Sequence, residues 1–501
     1  MSGARWGRRT RGLAAAAVVI LLVCAAGASP AIALLAALTI VVMVSLFLVP
    51  KQALVGMGLF LLVQPLLVNL AGGIENPLGL TLHRLHEAFA VAAVLRIAFF
   101  LSWDGLEPKV RHWVWLTVLF LATGLGSGFV AHVPLETLAL GAFLAVKFEV
   151  FLFLALTIPW SERDCARIMR AALWLGPIFF VGGVVISLLP LGTQRLFMEG
   201  HDYDFVRGDF NAMHGIFSHP GVFGWVMAVT GCYAVAALLV GRSTWRPAAT
   251  ASLASSVLGI LGSLRRKPLV ALPIVAVYGV TRFARGRRRW WVLALFTVLG
   301  AGGAWLVTDR LEAIYANTLE YVDPSGPTAP RILLYVTGVE IADAHFPLGA
   351  GFGRFGGYVS VLDYSPLYDE YGLSRVSGLT RNNPEWIADA YWPHIAAEAG
   401  WFGALVLGVL YLLLMQAAAR AAFRAQDPAT KAVAVAAGLA LLEAIGESVA
   451  GPVFEITLFT FVLAIPLGIT LVRATAPLAA PVSALTDQKD VSLPSSGEPL
   501  E

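Results

Sequence analysis

Two groups of residues have the types and spacing for chemistry on a charged substrate that carries hydroxyls. The first is basic: Arg265-Arg266-Lys267 in one short turn, Arg331, and Arg354 at the end of the run Phe346-Pro-Leu-Gly-Ala-Gly-Phe-Gly-Arg354. A guanidinium fork can hold two phosphate oxygens at once, so several of them suit a diphosphate. The second group is His394 with Glu398 four residues on, leading through Gly400 into an apolar run. A histidine titrating near neutral pH is the natural group to take a proton from a hydroxyl nucleophile. An arginine cluster plus one histidine at a bilayer surface suits a lipid-linked diphosphate and a hydroxyl acceptor. The alternative for His394 alone is an interfacial residue in an aromatic belt with Tyr391 and Trp392.

The elements that must position these residues are membrane helices. The chain has 501 residues, 58% hydrophobic and 13% charged, against roughly 25% charged in a soluble protein. Apolar runs fall at about 13–29, 31–49, 52–71, 84–101, 113–130, 136–158, 168–190, 220–240, 248–263, 268–283, 290–308, 397–419, 430–450 and 453–472. Runs of this length match a hydrocarbon core of roughly 30 Å, and only helices or closed barrels satisfy their backbone in lipid. The expected fold is an all-α polytopic membrane protein of about 12–14 transmembrane helices with one large extracytoplasmic loop.

The domain reading follows. Residues 1–308 hold the first helices with an outer loop at 191–219, 309–396 form the large periplasmic or extracellular loop, 397–472 hold the last helices, and 473–501 form a disordered cytoplasmic tail. A loop of that length, far beyond roughly 12–15 residues, points to function or disorder. Tyr358, Tyr364, Tyr368, Tyr371, Trp386, Tyr391 and Trp392 argue against disorder. A short amphipathic helix is expected at Asp309–Glu320.

Basic residues set the orientation. With Arg5, Arg8, Arg9 and Arg11 inside, the inner segments hold Lys51, Lys109, Arg111, Arg163, Arg167, Arg242, Arg246, Arg282–Arg289, Arg420, Arg424, Lys431 and Arg473. Both termini are then cytoplasmic. Arg265-Arg266-Lys267 alone break the rule by lying outside. Either they bind an anion, or they snorkel, or the span count shifts by one there. The arginine-flanked run Leu13–Cys24 with Ala26-Gly-Ala28 fits a cleavable signal peptide; an uncleaved first helix is preferred because the apolar stretch continues past Pro30.

Other polar features carry open alternatives. His201, Asp202, Asp204, Asp209, His214 and His219 crowd the 191–219 loop, where a solvated loop is favoured over a divalent-cation site because the spacing matches no motif. Glu443, Glu447 and Glu455, and Lys147 with Glu149, are intramembrane charges that read equally as functional groups or as pairs across the bundle. Cys24, Cys165 and Cys232 build neither a disulfide framework nor a metal motif.

Four stretches, in order, resemble the O-antigen ligase / O-antigen polymerase family of bacterial membrane glycosyltransferases. Gly215-Ile-Phe-Ser-His-Pro220 is similar to its "G-x-F-x-H-P-N" stretch, with Gly221 for the Asn. Arg266-Lys-Pro-Leu-Val-Ala271 is similar to its "S-R-G-A-L-L-A" turn, with Arg265 for the Ser. Arg331 followed by Phe346–Gly353 resembles its Arg and "P-x-x-G-x-G-x-G" pattern. His394-x-x-x-Glu398-x-Gly400 resembles its loop-closing His, with Ile395 where an Asn usually follows.

The resemblance implies a helical GT-C-type enzyme that joins a glycan from a polyprenyl-diphosphate carrier to an acceptor hydroxyl. It implies no nucleotide sugar, no cofactor and no metal ion. His394, with Glu398, would be catalytic, while Arg266 and Arg331 would bind the diphosphate, with Arg265, Lys267 and Arg354 as secondary candidates. Partners would be the lipid-linked donor, a glycan or glycolipid acceptor, the bilayer, and polysaccharide export or flippase proteins; nucleic acid is not among them. The rival class is a transporter or flippase of a lipid-linked oligosaccharide, which the membrane carboxylates would serve. Transporters commonly show two related halves with a site at the midplane, whereas the polar chemistry here concentrates in one asymmetric loop.

Overall fold

A computed structural model describes residues 30–101, 108–198, 206–207, 210–240, 242–284, 286–306 and 330–475. The readings made for the 13–29 run and its arginines, for His201, Asp202, Asp204 and Asp209, for Asp309–Glu320 and for the tail from 476 on lie outside the described residues.

The long helices are α1 (Pro30–Leu48), α2 (Pro50–Leu70), α3 (Pro77–Phe100), α4 (Pro108–Val130), α5 (Leu135–Ala145), α6 (Lys147–Leu156), α7 (Glu162–Ser187), α8 (Pro220–Val240), α9 (Arg246–Gly262), α10 (Arg266–Phe283), α11 (Arg287–Leu306), α12 (Pro330–Ala344), α13 (Tyr391–Arg424), α14 (Pro428–Glu447) and α15 (Thr457–Thr475). Every apolar run read from residue 31 onward falls on one or two of them. Prolines open several, as at Pro50, Pro77 and Pro428, because the first turn needs no backbone donor there. Ser161 and Asp164 form a capping box on α7, and Asp427 accepts from the Thr430 amide at 2.7 Å on α14.

This is an all-α, multi-pass membrane architecture. Among the described residues seven helices are long and apolar enough to cross a membrane, or eight if the bent pair α5/α6 counts as one span. The sequence expectation of 12–14 counts shorter and more polar helices as well. For example, α9 has 17 residues, a rise of about 26 Å, and α10 carries Arg266, Lys267 and Arg282 near its ends.

Burial sorts the helices into layers. The apolar window of α8 is 89% buried and that of α14 72%, while those of α2 and α7 are only 28% buried. On α7, Trp174, Ile178, Val181 and Val185 form one exposed apolar stripe at helical spacing, a face suited to lipid. At the centre Trp225 of α8 stacks on Phe459 of α15 with ring centroids 3.7 Å apart. Residues 330–390 contribute to a second core built around Leu334, Ile341, Phe355, Tyr368, Leu379 and Ile387.

Helices break at three places that bear on the site. The α5/α6 pair bends by 54° at Val146. Gly400 interrupts α13 with φ 72°, and residues 448–456 connect α14 to α15 without a continuous helix. Irregular backbone in a membrane protein is tolerated where protein buries it or a cavity needs it.

Candidate functional site

The connector 448–456 is where the polar residues meet. His394 comes to it from the first turn of α13. The sequence reading ended the loop at 396; the helix in fact starts at Tyr391 and runs through Pro393, since a first turn tolerates proline. His394 is only 4% exposed and Tyr391 1%, so neither is an interfacial belt residue. The imidazole Nδ1 lies 2.5 Å from the Phe355 carbonyl, and Nε2 lies 2.7 Å from Glu455 Oε1. A carbonyl only accepts, so the Nδ1 proton is committed to Phe355. The Nε2–Glu455 contact is an ion-pair distance without hydrogen-bond geometry, which sets a carboxylate directly beside the ring nitrogen that Phe355 leaves uncommitted.

The Gly-rich run explains how the ring is held. Ala350 and Gly351 donate their amides to the Ala397 and Glu398 carbonyls at 2.8 and 2.9 Å, docking the run on the turn of α13 that follows His394. A Cβ on Gly357 would lie 2.7 Å from His394 Cε1, and one on Gly356 would lie 2.8 Å from its Cβ. These two glycines let the backbone close over the imidazole. The Tyr368 hydroxyl accepts from the Gly356 amide at 2.9 Å and pairs with Ser360 Oγ at 2.9 Å. Burial pushes the Tyr368 phenol above its usual pKa, so the group remains a neutral hydroxyl.

Glu398 is 1% exposed, with Oε1 accepting from the Phe355 amide at 2.7 Å and sitting 3.6 Å from His394 Nδ1. Its first task is to anchor the run that carries the Phe355 carbonyl. Glu455 does what the sequence reading missed. Its carboxylate faces His394, its Oε2 accepts from the Tyr358 amide at 3.3 Å, and its carbonyl receives Lys147 Nζ at 3.0 Å. Gly451-Pro452 marks the helix break that places Glu455 there, but no spacing in the sequence names His394 as its partner.

The basic candidates reach the same connector or its neighbours, and most are already partnered. Lys267 Nζ sits 3.4 Å from Glu447 Oε2 and donates to the Ala450 carbonyl at 2.6 Å. Glu447 thus forms a pair across the bundle, and Glu443 is fully buried one turn earlier. Arg331 pairs with Asp389, and Tyr335 one turn on reaches the Val449 carbonyl at 2.5 Å. Among the described residues Arg354 makes only a long contact, 3.5 Å, to the Ala350 carbonyl, and Arg266 is half-buried in the first turn of α10.

Two of the departures from the family's motifs answer one another. Arg265 Nη2 lies 2.7 Å from His219 Nε2, and a Cβ at Gly221 would come within 2.8 Å of the His219 ring. Glycine at 221 gives His219 the room to meet Arg265. Ile395, where the motif has an amide, is fully buried in the main apolar core. His214 is no solvated loop residue either: it is buried, with Nδ1 3.1 Å from the Phe217 carbonyl, and burial lowers its pKa.

Beside His394 and Glu455 lies a void of about 10 Å³ bounded by Gly353, Gly357 and Tyr358, room for at most one water. The arrangement sets an imidazole nitrogen and two carboxylates side by side in a buried, glycine-lined space. The sequence matches no protein-family model and no curated protein.

Proposed function

We propose that this chain is a GT-C-type membrane glycosyltransferase that polymerises or ligates surface polysaccharide from a polyprenyl-diphosphate-linked donor. The observation that carries it is the His394–Glu455 pair, fixed by the Gly-rich run and joined through the connector 448–456 to Lys267 and the helix of Arg331. In the reaction the acceptor hydroxyl gives its proton to the pair, after the pair has lost its own to water. The acceptor oxygen bonds to the anomeric carbon as the bond from that carbon to the diphosphate oxygen breaks, and the polyprenyl diphosphate leaves with both electrons. Because Nδ1 is committed to Phe355, Nε2 and the Glu455 carboxylate are the proton-accepting atoms, and His394 and Glu455 act as one unit. A sugar reaches them only when the segment 353–359 shifts away from the ring, since the void is too small for it. Arg331 and Arg266 serve the donor phosphates, with Arg265, Lys267 and Arg354 shaping the field around them.

The test is transfer by purified protein from a lipid-linked donor in detergent. Arg331→Lys keeps the charge but loses the fork, and it lowers kcat/KM for donor about tenfold; a parental value across donor concentrations removes Arg331 from the site. In cells lacking the protein, single repeat units left on lipid identify a polymerase, and long chains left on the carrier identify a ligase.

A transport reading is favoured by one observation. Glu149 and Glu443 are buried on α6 and α14 with no part in this chemistry, as proton-relay carboxylates would be. Bond formation in detergent, where no gradient exists, separates the two readings.

A further inference from the structure

At the other end of α10 lies a much larger space. A cavity of about 1230 Å³ opens between the ends of α8, α9, α10, α13 and α14 and the flank of α11. It exceeds the roughly 300–1,000 Å³ typical of pockets for drug-sized molecules, and its wall is mainly apolar, including Phe283 and Val298. Three cations also line it: Arg246, Arg287 and Lys431. Among the described residues none of the three has a carboxylate within ion-pair distance. Trp290 and Trp291 beside them are 67% and 72% exposed, amphipathic rings of the kind that sit at headgroup level. With 18 residues, α10 separates this end from Lys267 by about 27 Å, close to a bilayer core, so the cavity is not part of the His394 site.

We propose that this cavity holds an anionic glycerophospholipid, its phosphodiester bound by Arg246, Arg287 and Lys431 and its acyl chains along the apolar wall. Cations beside an apolar wall at a membrane are costly without a counter-charge, and among the described residues no carboxylate pairs with these three. A phosphodiester carries that charge at one end and, at the other, hydrocarbon that suits the wall. A neutral lipid would fill the wall and leave the cations unmatched, and a free phosphate would match the cations and leave the wall empty.

The test uses the full chain in nanodiscs of phosphatidylcholine with a minor fraction of phosphatidylglycerol, transferred to mild detergent, with retained lipid counted by native mass spectrometry. Phosphatidylglycerol is retained in preference to phosphatidylcholine. Each of Arg246→Gln, Arg287→Gln and Lys431→Gln weakens retention about fivefold, and the three together on the order of a hundredfold, from roughly 1 kcal/mol per cation. Ala294→Trp fills the cavity without changing charge and also lowers retention; it keeps the test valid should the triple variant misfold. Equal retention of the two lipids overturns the proposal, as does unchanged retention in Ala294→Trp. Displacement by millimolar inorganic phosphate overturns it in favour of a free-anion site. Preferential retention of undecaprenyl phosphate at equal mole fraction overturns it in favour of a prenyl carrier site.

Discussion

The two ends of α10 treat positive charge in opposite ways. At the Lys267 end, cations meet partners within the chain: Glu447 for Lys267, His219 for Arg265 and Asp389 for Arg331, while the His394 imidazole faces Glu455 at 2.7 Å. At the other end Arg246, Arg287 and Lys431 line a cavity of about 1230 Å³ with no carboxylate beside them among the described residues. The first end is pre-organised: its charges are already solvated by protein, and a substrate must displace or share those partners. The second end is incomplete without an anion from outside. Charge density alone does not distinguish the two ends; the pairing does.

The most damaging way to break the first end is to remove one member of the His394–Glu455 pair. His394→Ala and Glu455→Gln should each lower transfer by about 10²–10⁴-fold, and the double variant should lose little more, because the two act as one unit. Full activity in Glu455→Gln with loss in His394→Ala would return the base role to His394 alone. Next is the enclosure of the ring. Gly357→Ala puts a methyl 2.7 Å from His394 Cε1; a ring displaced by part of an ångström should cost up to about 10²-fold in kcat, while the thermal midpoint shows whether the helices survive.

Smaller effects sharpen the pairing itself. Lys267→Met leaves Glu447 without its counter-charge and should cost about 1–2 kcal/mol of stability, less than a fully buried pair because the lysine side chain is 38% exposed. Lys267→Met with Glu447→Gln should recover most of it; if the double variant is no more stable than Lys267→Met, the pair is not what stabilises this end. Smallest is Gly221→Ala, which crowds His219 away from Arg265 and should lower donor turnover only a few-fold. An unchanged donor KM and kcat would place Arg265 outside the donor site.

Much of the scaffold is legible in the residues. Apolar run length alone places the helices, because a bilayer demands about 20 apolar residues whatever surrounds them, and proline and capping residues set where several begin. The chemical types of His394, Glu398 and the basic residues are visible for the same reason: charge is rare in this chain, so each instance stands out. Their environment is another matter. The sequence presents Arg265-Arg266-Lys267 as a surplus of charge, and only the fold brings Glu447, some 180 positions away, to Lys267. It presents His394 as the end of a loop, and only the docking of residues 350–357 on α13 buries it. Glu455 reads as one more membrane carboxylate until the break at Gly451-Pro452 swings it to the imidazole. Local periodicity sees neighbours along one helix, whereas these pairs form between helices distant in the chain, where burial makes each charge require a partner and tertiary packing alone chooses it.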